Sequence, residues 1–161
     1  MNADPDVMTF FAAPLSRAES DDAIDRYLLQ LDRDGFTMFA LELRHDHSFA
    51  GTLGMQVMRT TIPNLPQPAV EIGWRLTRSA QGQGLATEGA RAICDLAFRH
   101  FRIPQVVAIT TPANIASRRV MEKLGMSHRP ELTYDHPNVP PGHPFRQHIV
   151  YTLNNPHLPP T

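Results

Sequence analysis

A strand, a glycine-containing loop and a helix follow one another between residues 70 and 101, and they constrain this chain more than any other feature. From residue 70 to 76 apolar side chains alternate with polar or small ones, which is the pattern of a half-buried strand. Gly82 and Gly84 then permit positive φ angles and a close approach of the backbone. Successive N–H groups can therefore point at one anion where the next helix begins.

A second junction of the same kind strengthens this interpretation, because a Gly-x-Gly turn alone also occurs where nothing binds. The apolar strand from Val106 to Thr111 leads through Pro112 and Ala113 into a short helix that Gly125 ends. Two strand-to-helix junctions at this spacing predict a cradle for a pyrophosphate group.

These two junctions resemble the acetyl-CoA site of the GCN5-related N-acetyltransferase (GNAT) superfamily. The stretch from Gln81 to Ala86 matches its Gln/Arg-x-x-Gly-x-Gly/Ala motif, and Asn114 with the stretch from Glu122 to Met126 matches the strand and helix that follow. Residues 71–74, 86–88 and 117–126 are most similar to the branch that contains the Rim-type ribosomal-protein N-terminal acetyltransferases.

The resemblance implies one α/β (α+β) domain with a mostly antiparallel, centrally splayed sheet flanked by helices. It covers residues 1–153, and the Pro-rich residues 154–161 are expected to form a flexible tail. Members usually begin with an extra edge strand that is missing here, so the strand from Met38 to Leu43 is expected to be an open edge. A misassigned start, a truncated variant and a homodimer that covers the edge all remain open.

Other elements follow from periodicity. Residues 14–32 are predicted to form a helix with a capping box of Ser16 and Glu19, and residues 49–59 and 147–153 are predicted to form strands.

The activity implied by the resemblance is direct transfer of an acetyl group from acetyl-CoA to a primary amine. The first acceptor hypothesis is the α-amine of a protein or peptide N-terminus. Two alternatives stay open: a small amine such as an amino acid, polyamine or drug, and a non-catalytic acyl-CoA-binding sensor module.

The resemblance also places acetyl-CoA along the exposed backbone of the strand at residue 74, in the glycine loop and at the start of the second helix. The residues expected to contact it are Trp74, Leu76, Arg78, Gln81, Gly82, Gln83, Gly84, Leu85, Ala86, Thr87, Asn114 and Ser117. For Asn114, a helix N-cap is an alternative role that is compatible with cofactor binding.

Two residues are candidates for catalysis. Many members carry a tyrosine where this chain has Met121, which cannot donate a proton. The resemblance to the Rim-type branch, whose members carry a hydroxyl at the position of Ser117, makes Ser117 the candidate acid or hydrogen-bond donor for the leaving thiolate; the alternative is a serine that only caps the helix. Glu71 is the candidate base, and a salt bridge with Arg75 is its alternative role.

The loop from residue 135 to 144 is expected to overhang the acceptor. His136 and His143 flank its prolines and are candidate substrate-binding residues, although either one can be an ordinary hydrogen-bonded loop histidine. The stretch His45-Asp46-His47 offers too few ligands for a metal ion, so no metal is expected.

Composition narrows the class of partner. The chain has 161 residues, which suits one domain, and its 15 basic and 16 acidic residues give a formal charge of −1. This balance argues against direct binding to nucleic acid or to an anionic membrane. A single cysteine, Cys94, and the lack of a long apolar run or a signal peptide lead us to expect a cytoplasmic protein.

Overall fold

The structure is a computed structural model that describes residues 1–159. Six strands and three helices make up this part of the chain, together with a short 3₁₀ turn at Arg78–Ala80. In chain order the elements are α1 (Arg17–Asp34), β1 (Met38–Glu42), β2 (Phe49–Val57), β3 (Val70–Leu76), α2 (Leu85–Arg99), β4 (Gln105–Thr110), α3 (Ile115–Lys123), β5 (Ser127–Asp135) and β6 (Gln147–Asn154). None of these helices is both long and apolar enough to cross a lipid bilayer.

The strands form one sheet in the order β1-β2-β3-β4-β6-β5. All neighbours are antiparallel except β3 and β4, which are parallel and share only the pairs Val70 with Val106 and Glu71 with Val107. Beyond these pairs the two strands separate, so a gap opens in the middle of the sheet. The predicted fold class, a mostly antiparallel sheet with a central splay, is confirmed.

Helix α2 packs on the sheet through small side chains, as its sequence predicts. Ala90 and Ala97 are almost completely buried, and a Cβ added at Gly89 would lie 2.7 Å from the Leu53 side chain. Cys94 is buried in the same helix, and burial raises the pKa of its thiol to about 11, so it serves as a packing residue.

Local signals define the first helix. The Ser16 hydroxyl accepts a hydrogen bond from the Glu19 N–H at 3.2 Å, and the Glu19 carboxylate accepts one from the Ser16 N–H at 2.7 Å. This is the predicted capping box. At the other end Gly35 takes a φ of 77°, a left-handed conformation that ends the helix.

One strand was not predicted from the sequence. β5 has mostly exposed side chains, contains Pro130, and has a register irregularity between Arg129 and Tyr134. It lies at the edge of the sheet, where the missing N–H of a proline is tolerated. The alternation that reveals a half-buried strand is therefore absent from its sequence.

The two ends of the domain differ from the expectations in detail. β1 lies at an edge and pairs only with β2 in the described part of the chain, and no strand precedes it there. At the other end β6 continues to Asn154, and buried Asn155 donates hydrogen bonds to the carbonyls of Phe98 (3.1 Å) and Ile103 (3.0 Å). Packing therefore continues through Asn155, two residues beyond the expected end of the domain at residue 153. The flexibility of the tail stays a prediction, and its residues 160 and 161 lie outside the described residues.

Candidate active site

The gap between β3 and β4 exposes backbone groups of β3. The Thr77 N–H donates to the Ala50 carbonyl at 2.8 Å, so Thr77, Arg75 and Gly73 direct their N–H groups toward β2. The alternation of an antiparallel strand then directs the N–H groups of Trp74 and Leu76 into the gap. These are the two positions from which the sequence predicted backbone contacts to acetyl-CoA.

The glycine loop next to this gap has the geometry of an anion cradle. Gly82 and Gly84 have φ angles of 75° and 84°, and a Cβ added at either one would meet no protein atom within 4 Å. Among the residues that the structure describes, none caps α2 with its side chain. Within residues 1–159, none of the backbone N–H groups from residue 82 to 87 has a protein acceptor outside regular elements, and the first turn of a helix supplies none inside it. The loop and the start of α2 therefore offer a row of donors to an anion.

The side chains of the loop brace it. Gln81 donates to the Leu76 carbonyl at 3.3 Å, and Gln83 donates to the Ser79 carbonyl at 2.7 Å. Arg78 forms an ion pair with Asp6. These three residues were predicted to contact the cofactor; in this structure they hold the loop, and direct contact by their side chains stays a prediction.

A groove of about 580 Å³ extends from the glycine loop along α2 to the end of α3. Its walls come from both helices and include Gly84, Thr87, Arg91 and Lys123. Arg91 and Lys123 are exposed basic groups that can contact phosphates, and the carboxylates of Glu88 and Asp95 line the same groove. The loop offers donors to an anion, and the groove beside it has room for an elongated molecule such as CoA.

At the second junction Asn114 is the N-cap of α3. Its side-chain oxygen accepts a hydrogen bond from the Ser117 N–H at 3.2 Å, which leaves its amide N–H₂ available. Ser117 lies in the first helical turn and is half-buried. Met121, which stands where many members of the superfamily have a tyrosine, is 1% exposed and packs in the core. The role of the Ser117 hydroxyl toward the leaving thiolate stays a prediction.

Glu71 lies where β3 and β4 begin to separate. Its carboxylate accepts a hydrogen bond from the Gln56 amide at 3.1 Å, and burial raises its pKa from 4.5 to about 7. The alternative salt bridge with Arg75 does not form, because Arg75 donates to Asn2 at 2.9 Å and stacks on the Phe11 ring. A carboxylate with a pKa near neutrality suits a general base.

Glu71 opens into a small cavity of about 150 Å³. The other residues that line the cavity come from β2, the segment after it, β4 and the loop after β5: Gln56, Met58, Arg59, Thr60, Ile109, His136 and Asn138. The predicted substrate residue His136 therefore shares this cavity with the predicted base. His143 is not among the lining residues, and its role stays a prediction.

Two of the histidines have hydrogen bonds that define their neutral tautomer. The Nδ1 atom of His136 accepts from the Asn138 N–H at 3.2 Å, so its proton is on Nε2. His143 has the same arrangement with the Phe145 N–H at 3.2 Å. Each ring can therefore donate to a substrate through Nε2, whereas accepting a proton would break a hydrogen bond that holds the loop.

Sequence reasoning identified His136 but missed its neighbours Tyr134 and His148. The rings of Tyr134, His136 and His148 lie close together, with 4.8 Å between the centroids of the two histidines. Burial lowers the pKa of both histidines and raises the pKa of Tyr134, which the nearby Glu71 raises further. His148 holds its Nδ1 proton toward the Arg146 carbonyl (3.2 Å), which leaves Nε2 as an acceptor. Only the undetected strand β5 brings Tyr134 here.

No group of three or more potential metal ligands lies together in residues 1–159. In the hairpin between β1 and β2, His47 instead approaches Glu42 at 2.6 Å and His45 approaches Asp46 at 3.4 Å. These side chains are exposed, and each histidine has a single carboxylate neighbour.

A splayed sheet, a glycine-loop anion cradle and exposed strand backbone define an acyl-CoA-binding transferase fold. The family model described as the acetyltransferase (GNAT) domain matches residues 1–127, and the chain belongs to this family. The uncharacterized protein YkkB of Bacillus subtilis is 31% identical over 123 residues, covering 76% of this chain and 69% of YkkB. "Probable N-acetyltransferase YjcK" of the same organism is 29% identical over 134 residues, covering 83% of this chain and 70% of YjcK.

Solved structures show the same fold. An acetyltransferase of the GNAT family from Bacillus anthracis superimposes with a TM-score of 0.75 at 20% identity, covering 96% of this chain and 84% of that one. The spermidine N-acetyltransferase of Vibrio cholerae, solved with CoA and spermine, has a TM-score of 0.72 at 12% identity and coverages of 96% and 85%. RimL, a ribosomal L7/L12 α-N-protein acetyltransferase solved with CoA, has a TM-score of 0.68 at 21% identity and coverages of 88% and 74%. Neighbours of this fold thus acetylate different kinds of amine.

Proposed function

We propose that this protein transfers the acetyl group of acetyl-CoA directly to the α-amine of a protein or peptide N-terminus, as the Rim-type branch does. The observation that carries the proposal is Glu71, a carboxylate with a pKa near 7 that faces a small cavity where β3 and β4 separate. The N-acetyltransferase activity follows from the family; the choice of an α-amine is the proposal.

The roles of the residues follow from their positions. The cradle from residue 82 to 87 would hold the pyrophosphate, and the N–H groups of Trp74 and Leu76 would bind the pantetheine arm and stabilise negative charge on the acetyl oxygen during attack. Glu71 would take the proton from the amine, directly or through a water molecule. Ser117 would donate a hydrogen bond to the departing thiolate.

The pKa of Glu71 favours an α-amine over a lysine side chain. An α-ammonium group has a pKa of about 7.8 and a lysine ammonium group about 10.4, so proton transfer to a carboxylate of pKa about 7 is unfavourable by about 1 kcal/mol for the first and about 5 kcal/mol for the second. A weak base of this kind can therefore take the proton of an α-ammonium group without further activation.

A small amine is the second candidate, because a cavity of this size can enclose it completely. At about 150 Å³ the cavity is smaller than the roughly 300–1,000 Å³ of typical small-molecule sites, so it encloses only a few heavy atoms. It can take a whole small amine, or the amine and first residue of a peptide whose remainder lies outside. These two candidate functions differ only in the amine that accepts the acetyl group.

Calorimetric titration of the purified chain with acetyl-CoA, and then with CoA, tests the cofactor site first. We expect saturable binding at one site per chain. Thiol release is then measured with acetyl-CoA and a panel of peptides, free amino acids and spermidine. A folded protein that binds neither acetyl-CoA nor CoA would contradict the proposal, and activity on spermidine alone would contradict the choice of an α-amine.

The variant Ser117→Ala tests the sensor hypothesis, which the buried Met121 motivates. We expect turnover to fall by about 10-fold because one hydrogen bond to the charged thiolate is lost, while the affinity for acetyl-CoA stays unchanged. The exposed Ser127→Ala is the matched control. If the wild type binds acetyl-CoA tightly but releases no thiol with any amine of the panel, the protein is a binding module.

A further inference from the structure

Arg59 brings a positive charge to the acceptor cavity. It follows β2 and lines the same cavity as Glu71, while its own side chain is exposed and so lies on the solvent side of the cavity. The backbone around it is held in place. The Met58 N–H donates to the Ala69 carbonyl at 2.8 Å, and Ile62, three residues later, is 1% exposed.

The guanidinium group of Arg59 has no ion pair or hydrogen bond with any residue from 1 to 159. Five arginines in this part of the chain are paired with carboxylates, whereas Arg59, like the exposed Arg26, is not: the five are Arg17, Arg33, Arg78, Arg129 and Arg146. What distinguishes Arg59 is its place in the cavity that Glu71 lines. The carboxylate that shares the cavity, Glu71, is bound by Gln56 instead. The cavity therefore holds an acidic group at its inner end and an unneutralised cation at its outer end.

This arrangement matches an acceptor that carries its amine at one end and a carboxylate a few bonds away. The amine would lie against Glu71, and the carboxylate would reach the guanidinium, whose planar fork binds carboxylates with two parallel hydrogen bonds. The small volume of the cavity leaves room for the first residue of a peptide, so the second residue would lie at its mouth, where Arg59 is.

We propose that the acceptors of this protein are peptide N-termini that carry an acidic side chain at the first or second residue, and that Arg59 selects them. The inference rests on the proposed function, because it names the substrate class of the same site. A cationic acceptor such as spermidine should be the poorest substrate, since Arg59 repels it.

Two peptides that differ only at the second residue test the proposal: Ala-Asp-Ala-Ala and Ala-Asn-Ala-Ala, both amidated at the C-terminus, with acetyl-CoA and a thiol-release assay. We expect kcat/KM for the aspartate peptide to exceed that for the asparagine peptide by about 10-fold, the effect of one partly exposed charged hydrogen-bonded pair. The preference should weaken as salt is raised.

The variant Arg59→Gln should remove the preference by lowering kcat/KM for the aspartate peptide alone. Arg26→Gln is the matched control, since Arg26 is an exposed arginine on α1. Equal activity on both peptides in the wild type, or an equal loss on both in Arg59→Gln, would overturn the proposal.

Two further outcomes separate this inference from the function on which it rests. In the first outcome, both peptides are inactive and a free amino acid is a better acceptor than its carboxamide. This result would retain the role of Arg59 in carboxylate binding but overturn the proposal that the acceptors are peptides. Tight binding of acetyl-CoA without thiol release by any amine of the panel would overturn the proposed function itself.

Discussion

At the scale of single residues, the proposed general base Glu71 makes the activity depend on pH. With a pKa of about 7 it is half ionised at neutrality, so kcat/KM should rise with pH up to this value and level off above it. Glu71→Gln should lower kcat/KM by about 100-fold, the lower end of the effect of a general base. Glu131→Gln, an exposed glutamate of β5, is the control.

The acceptor amine also ionises in this range, so the pH profile must be measured with two acceptors whose amine pKa values differ. An ionisation that belongs to Glu71 stays at the same pH with both acceptors. If the only ionisation moves with the amine, the assignment of Glu71 as the base is contradicted.

The same carboxyl group should make the stability of the fold depend on pH. Its pKa is 4.5 in the unfolded chain and about 7 in the folded one, so the folded state binds more protons between these values. The contribution of this group to the free energy of unfolding is fully present below pH 4.5, where the carboxyl group is neutral. It is lost as pH rises through 7, which lowers the free energy of unfolding by at most about 3 kcal/mol.

Glu71→Gln should remove this dependence. We expect the free energy of unfolding in urea, measured at pH 5 and pH 8, to fall more in the wild type than in the variant. If the free energy of unfolding changes equally between pH 5 and pH 8 in both proteins, Glu71 is not the buried titrating group.

Sequence reasoning identified Glu71, Asn114 and Ser117 because each lies in a motif or beside one. It missed Gln56, Arg59 and His148, since no motif marks them. Only the tertiary fold brings Gln56 and Arg59 to the cavity and His148 against the ring of His136. The signal for Gln56 was available in principle: β2 and β3 were both predicted, and their register makes Gln56 the cross-strand partner of Glu71.

At the scale of elements, the start of α2 is the part of the site that tolerates side chains least. Gly84→Val would force a branched residue into a φ of 84° and extend its side chain into the space above the loop. We expect the affinity for acetyl-CoA to fall by at least about 10-fold, because even one displaced charged hydrogen bond has this effect. Calorimetry measures the affinity.

Gly142→Val provides the control for this prediction. Gly142 has a similar φ of 79° and equally open surroundings, but it lies in the loop before β6. Both variants should lose stability to strain, and only Gly84→Val should lose affinity. Unchanged affinity in Gly84→Val would show that the pyrophosphate binds elsewhere.

The predicted elements and the missed strand β5 differ in how much of their surface is buried. β3 and α2 bury one face, so their apolar side chains recur at the period of the element, and α1 has a capping box as well. β5 buries little, contains a proline and is held by pairing with β6 alone. Its conformation depends on pairing with β6, and no pattern in its own sequence indicates that pairing.

At the scale of the whole molecule, the sheet ends on one side at β1, which pairs only with β2 within residues 1–159. The strand is five residues long, and Phe39 on it is 40% exposed. A second copy could add its own β1 in antiparallel fashion, but each new hydrogen bond replaces one to water and contributes only about 1 kcal/mol. We therefore expect a weak homodimer, with a dissociation constant above about 10 µM.

Sedimentation velocity over a range of concentrations measures this association. Phe39→Lys should abolish it, because a lysine on an edge strand opposes pairing with another strand. Leu29→Lys is the matched control: Leu29 is 69% exposed, but it lies on α1. Loss of association in Leu29→Lys alone would place the contact on the helix. A monomer at every concentration would show that hydrogen bonds from this short strand to water outweigh those that a second strand would form.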